Sequence, residues 1–222
     1  MNTHPSTRAL KVHKKLLEAF GQPTWRSPLP PVDELVSTIL SQNTNDTNRD
    51  RAFNALRAKF PTWEMVRDAK TGEVISAIRS AGLANLKGPR IQKVLRAITE
   101  ERGDLNLNFL KDLPLEEARN WLTQFNGVGP KTAAIVLCFS LGRPAFPVDT
   151  HIYRVTGRIG LRPEKMTVEQ AHPYMESLLP PETYYAAHLN LIRLGREICQ
   201  ARKPDCPNCP IHKLCAYEPK TK

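Results

Sequence analysis

Between Leu122 and Asp149 the chain reads L-T-Q-F-N-G-V-G-P-K-T-A-A-I-V-L-C-F-S-L-G-R-P-A-F-P-V-D, a run compatible with few folds. Gly127 and Gly129 bracket a single residue between two apolar segments, so the backbone turns sharply and leaves amides uncovered at a helix start. A phosphate can dock on such amides. Residues 131 to 141 are apolar nearly all round, which predicts a buried helix that Gly142 and Pro144 end. Lys131 follows the second glycine by two positions, and Asp149 is framed as P-V-D-T-H.

Helical spacing governs the rest of the chain. From Val32 to Phe125 apolar residues recur near every 3.6 positions in six segments, about 32–41, 46–60, 62–69, 71–80, 88–102 and 114–125, with no alternation that calls for strands. Thr62 and Thr71 are candidate N-caps, and Gly103 follows a helix end. Before them a helix is expected over 7–20, stopped by Gly21. The proline-rich stretch 22–31 reads as a linker, with Trp25 as a lid on the core. Beyond Asp149, helices are expected over 150–159, after a Thr167/Gln170 capping box, and over 182–198. The fold class predicted is all-α.

Thirty-two Lys and Arg against 22 Asp and Glu leave a formal charge of +10 in 222 residues, which points to a polyanionic partner, nucleic acid foremost. The first residues, M-N-T-H-P-S-T-R-A-L-K-V-H-K-K, lack the apolar centre of a secretory signal, and no run is long enough to span a bilayer. A cytoplasmic, nucleoid-associated protein is expected.

Four of the five cysteines crowd together with the spacing C-x6-C-x2-C-x5-C: Cys199, Cys206, Cys209 and Cys215. In a reducing compartment they suit a metal better than disulfides. Four thiolates serve zinc and a cubane iron–sulfur cluster alike, and spacing leaves both open. Cys138, inside A-A-I-V-L-C-F-S-L, reads as core.

Lys131 has two readings. Lysine makes point-charge contacts to phosphate routinely. It also serves as a nucleophile when neutral, and both a helix N-terminus and an apolar neighbouring helix disfavour the cation. Asp149 likewise reads as an N-cap for a helix at Thr150, a role that leaves its carboxylate free to assist an amine nucleophile or balance charge on a sugar.

Leu122, Phe125, Gly127, Gly129, Lys131, Thr132 and Ala133 resemble a helix-hairpin-helix element. Together with V-D-T-H, Arg154 and the four-cysteine run, in the same order and at similar separations, they resemble the endonuclease III family of DNA repair glycosylases. The resemblance implies two helical lobes with the active site in the cleft between them. A six-helix barrel would span 24–126, and a lobe carrying the hairpin and the cluster would combine 127–222 with the N-terminal helix 1–23. It implies a [4Fe-4S] cluster on Cys199, Cys206, Cys209 and Cys215, Lys131 as the catalytic lysine and Asp149 as the catalytic aspartate. Enzymes with that lysine are bifunctional, removing a base and then cleaving the strand.

The same resemblance implies a set of DNA contacts. Gly127, Val128, Gly129 and Thr132 would bind backbone phosphate from the hairpin. Gly82 and Leu83 resemble a loop that wedges into the duplex, although an ordinary glycine turn with a core leucine fits them too. Lys87 and Arg90 would meet phosphate nearby, as would Arg154 and the loop residues Arg202 and Lys203. The family's L-S-A-Q-A-T-D is L-S-Q-N-T-N-D here, so Gln42 and Asn43 are rivals for filling the gap left by a flipped base. Asp46 matches the family's aspartate and equally suits an N-cap. The expected partner is duplex DNA with damaged bases or abasic sites, bound by a monomer. The leading activity is glycosylase and lyase on oxidised pyrimidines. Removal of mismatched or alkylated bases with weak lyase activity is the alternative, and a non-catalytic, redox-sensing DNA binder the contrasting one.

Overall fold

The structure, a computed structural model, describes residues 4–24 and 28–218. Trp25 lies outside them. Every regular element among the described residues is helical. The chain divides into two compact units, one formed by Met1–Ser27 with Pro144–Lys222 and the other by Pro28–Arg143.

In the unit 28–143, α2 (Pro31–Ser41) is the buried centre. Proline at its first turn and Asp33 and Glu34 nearby suit a helix start, and Val32, Leu35, Val36, Ile39 and Leu40 are buried. Against it pack α3 (Asp46–Lys59), α6 (Ala84–Arg102) and α8 (Pro130–Ile135). The shorter α4 (Trp63–Asp68) and α5 (Thr71–Ala77) lie on α6, and α7 (Leu115–Thr123) lies on α8. Caps follow the side-chain chemistry. Asn45 Oδ1 accepts from the Asn48 amide at 2.8 Å, and Thr62 Oγ1 from Met65 at 3.3 Å. Asp46, read as a possible cap, is instead the first residue of α3.

Several expectations are corrected in this unit. Thr71 is not a cap: Lys70 holds that position, and the Thr71 hydroxyl donates to Gln92 Oε1 at 2.7 Å. The expected helix 71–80 breaks into α5 and a 3-10 turn at Arg79–Ala81. The helix expected from 88 begins at Ala84, because the Leu83 carbonyl accepts from Leu86 and Lys87, leaving Pro89 inside the helix. The buried helix after the hairpin also changes pitch: α8 passes into a π-helical turn at Val136–Ser140. The unit continues to Arg143 rather than 126, since α8 and the π turn both pack on α2.

In the other unit, α1 (Pro5–Phe20) lies on α10 (Val168–Leu178) and α11 (Tyr184–Glu197), and α11 packs on α9 (Thr150–Arg158). Ala9, Val12, Leu16, Ile152, Val155, Met175, Leu191 and Leu194 are buried. Thr167 and Gln170 form the expected capping box, which starts α10 with Pro173 inside it. His188 is a structural hydrogen-bonder, its Nδ1 2.9 Å from the Pro147 carbonyl.

Candidate nucleic-acid interface and cysteine centre

Within the unit 28–143 the hairpin joins α7 to α8. Gly127 adopts φ of +92°, and a Cβ there would stand 2.2 Å from Arg90 Cδ, so only glycine fits. Gly129 is exposed, and beyond its chain neighbours no atom lies within 4 Å of where its Cβ would be. Pro130 occupies the first helical position, and Lys131 follows in the first turn, half-buried. Two residues expected to touch DNA are enclosed by the hairpin itself. Val128 is buried and its amide is bonded to the Phe125 carbonyl at 2.9 Å, closing the turn; Thr132 is buried at 4% exposure.

Gln42 is held between two parts of this unit. Its Nε2 donates to the Gly127 carbonyl at 3.3 Å, and its Oε1 accepts from Arg90 at 2.9 Å. Arg90 thus braces the hairpin from beneath, a role its sequence position does not reveal. Asn43 is exposed and holds φ of +52°, an uncommon left-handed conformation for a residue with a side chain.

Gly82 and Leu83 both have positive φ, at 67° and 49°, and Leu83 is 49% exposed, with Leu86 beside it at 62%. The core-leucine reading of Leu83 is therefore wrong. Lys87 is corrected most sharply. It is 1% exposed, and its ammonium donates to the Leu40 and Ala81 carbonyls, each at 2.8 Å, so it meets no phosphate. Burial lowers its affinity for the proton from the ordinary lysine value.

In the other unit Asp149 caps α9, its Oδ1 accepting from the Ile152 amide at 2.7 Å. Lys131 and Asp149 fall in different units. Arg154, expected at DNA, donates to the carbonyls of Gly195 at 2.8 Å and Cys199 at 3.2 Å and meets His151 Nδ1 at 3.2 Å. Its donors tie α9 to the start of the cysteine segment. Burial, above all, pushes the His151 imidazole below its ordinary pKa, with Arg154 and Arg196 adding to the effect against Asp149.

The four cysteines line one pocket, with Arg158, Ile198 and Pro204 among its walls. Arg158 donates to Cys199 Sγ at 3.6 Å and to the Gln200 and Ala201 carbonyls at 2.6 and 2.7 Å. Burial raises the Cys209 thiol pKa, and the other three thiols add to that against the Ile211 amide. Among the described residues no three His, Cys, Asp or Glu side chains converge on a point that could hold one metal ion. The thiols surround a space instead, and the donor set fits a group that takes four soft ligands. Arg202 and Lys203 are exposed in the loop between the first two cysteines.

A family model for HhH-GPD superfamily base excision DNA repair proteins matches residues 36–181, and the chain belongs to that superfamily as an endonuclease III-like DNA glycosylase. Endonuclease III of Sulfolobus acidocaldarius is 35% identical over 185 residues, covering 82% of this chain and 80% of that protein. A putative DNA glycosylase of Arabidopsis thaliana, At3g47830, is 36% identical, covering 78% of this chain; the chain spans only 59% of its length. Among solved structures, a trapped endonuclease III–DNA covalent intermediate, in an estranged-adenine complex, is similar with a TM-score of 0.81 and 27% identity, covering 97% of both chains. A thermostable thymine-DNA glycosylase at 22% identity shares the fold, with a TM-score of 0.79, over 95% of this chain and 96% of that one.

Proposed function

We propose that this glycosylase is bifunctional, removing oxidised pyrimidines from duplex DNA and then cleaving the strand by β-elimination. One observation carries the reading: a half-buried lysine in the first turn of the helix that the G-V-G hairpin opens, in a chain 35% identical to an endonuclease III. The neutral Lys131 amine attacks C1′ of the damaged nucleotide, and the bond to the base breaks with its electron pair leaving on the base. The nitrogen gives up one proton to the departing base. The C1′–O4′ bond then breaks with its electron pair on O4′, which takes a proton from solvent, and an iminium forms between C1′ and Nζ. Loss of a proton from C2′ then expels the 3′ phosphate. Asp149 contributes a carboxylate that balances positive charge on the sugar; capping Ile152 engages only one of its two oxygens.

Cys199, Cys206, Cys209 and Cys215 would hold a [4Fe-4S] cluster, which supplies four iron–thiolate bonds that pin the segment 199–215. That segment presents Arg202 and Lys203 to the DNA backbone, with no redox step required. Gly129 and the first-turn amides of α8 offer further phosphate contacts that read no sequence. The protein acts as a monomer.

Duplexes carrying thymine glycol, a G·T mismatch or an alkylated purine, incubated separately with the protein, test the substrate. Base release with strand cleavage on thymine glycol is expected. Release from the mismatch or alkylated duplex alone, without cleavage, would favour the alternative activity, which the altered Q-N-T-N segment leaves open.

A further inference from the structure

Two non-glycine residues in the described chain have positive φ, Asn43 and Leu83. Both are exposed, and both come two or three residues after a carbonyl held by the same buried ammonium. Leu40 lies three residues before Asn43 and Ala81 two before Leu83, and Lys87 Nζ donates to both carbonyl oxygens at 2.8 Å. Each carbonyl is at or near the C-terminal end of a helix, α2 in one case and the 3-10 turn Arg79–Ala81 in the other. Carbonyls at helix ends lack intrahelical donors and carry partial negative charge, so a cation is the side chain that satisfies two of them at once.

Lys87 grips the second turn twice, because its own amide also donates to the Leu83 carbonyl at 2.9 Å. The first turn is closed by the Gln42 amide on Ile39 and Thr44 on Ser41. A further bond runs from Ser80 Oγ to the Asn48 carbonyl, between the 3-10 turn and α3. A neutral apolar side chain at 87 would fill the volume but leave two buried carbonyls without donors.

We propose that Lys87 is a positioning residue that couples the Asn43 and Leu83 turns into one rigid two-pronged element, so that both enter a duplex together or not at all. The proposal rests on the reading that these turns meet DNA. Lys87 touches neither substrate nor phosphate; it acts through the backbone beneath the two prongs.

A double-mutant cycle tests it, reading affinity for a duplex with one abasic site, at a temperature where every variant is folded by circular dichroism. In the otherwise unchanged protein, N43A and L83A each weaken binding. Their combined loss falls short of the product of the single losses by about threefold or more, the size expected of directly coupled sites. In K87M the same pair multiplies to within about twofold, the behaviour of independent sites. A merely structural lysine would lower the melting temperature and leave the coupling intact, which would overturn the proposal. Should K87M not fold, K87Q is the second background. Should neither fold, the unmodified background decides, and independent losses there overturn the brace. If N43A and L83A are both silent while the protein still binds DNA, the placement of these turns at the duplex has failed and the brace falls with it, a result distinct from two effective but independent prongs.

Discussion

At Gly127 a single hydrogen atom decides whether the hairpin closes over Arg90. Substitution by alanine places a methyl group 2.2 Å from Arg90 Cδ at a φ of +92°, displacing the guanidinium that holds Gln42. G127A is expected to lose about 1–3 kcal/mol in chemical denaturation and to weaken duplex binding. Asp149 separates capping from chemistry. Asparagine caps as well as aspartate, so D149N should keep its unfolding midpoint while strand cleavage falls sharply; D149A should lose cleavage together with about 1 kcal/mol of stability. Equal cleavage by D149N and the parent would remove the carboxylate from the mechanism.

The elements show which signals a sequence carries openly. Thr167 and Gln170 lie next to the helix they start, and their capping box formed as expected. T167A should therefore cost about 1 kcal/mol in unfolding measurements. Long amphipathic segments such as α2, α3 and α11 were legible for the same reason: their apolar spacing is local. The hairpin glycines and the four cysteines were legible because their chemistry depends on short spacing. Lys87 was misread because its burial depends on Leu40, 47 positions away in the chain. Charge at a loop suggests phosphate, whereas the structure spends it on two carbonyls. Arg154 and Arg158 were obscured likewise, since their acceptors lie 41 to 45 positions downstream. The π turn at Val136–Ser140 has no marker in an apolar run that any helical pitch would bury.

For the whole molecule, a formal charge of +10 makes duplex affinity strongly dependent on salt. The logarithm of affinity should fall linearly with that of salt concentration, by about 0.9 per phosphate neutralised. R202A and K203A should each reduce the slope by about 1 if the cysteine segment presents them to DNA. Acid lability has a source in α1, where His13 is buried at 7% exposure with no hydrogen-bond partner for Nδ1. Burial holds its pKa below the ordinary 6.5, so the folded state binds fewer protons than the unfolded one. The stability this contributes is fully present above pH 6.5 and is lost as pH falls toward the folded value. Replacement by phenylalanine should flatten that part of the stability curve, and an unchanged slope would place the acid sensitivity elsewhere.

The nucleophile at position 131 is tested most directly by borohydride reduction of the protein mixed with a duplex containing an abasic site. A covalent protein–DNA band is expected that disappears in K131A and persists in K131A-independent controls such as T167A. Absence of the band from the unmodified protein, or its survival in K131A, would contradict the Schiff-base account.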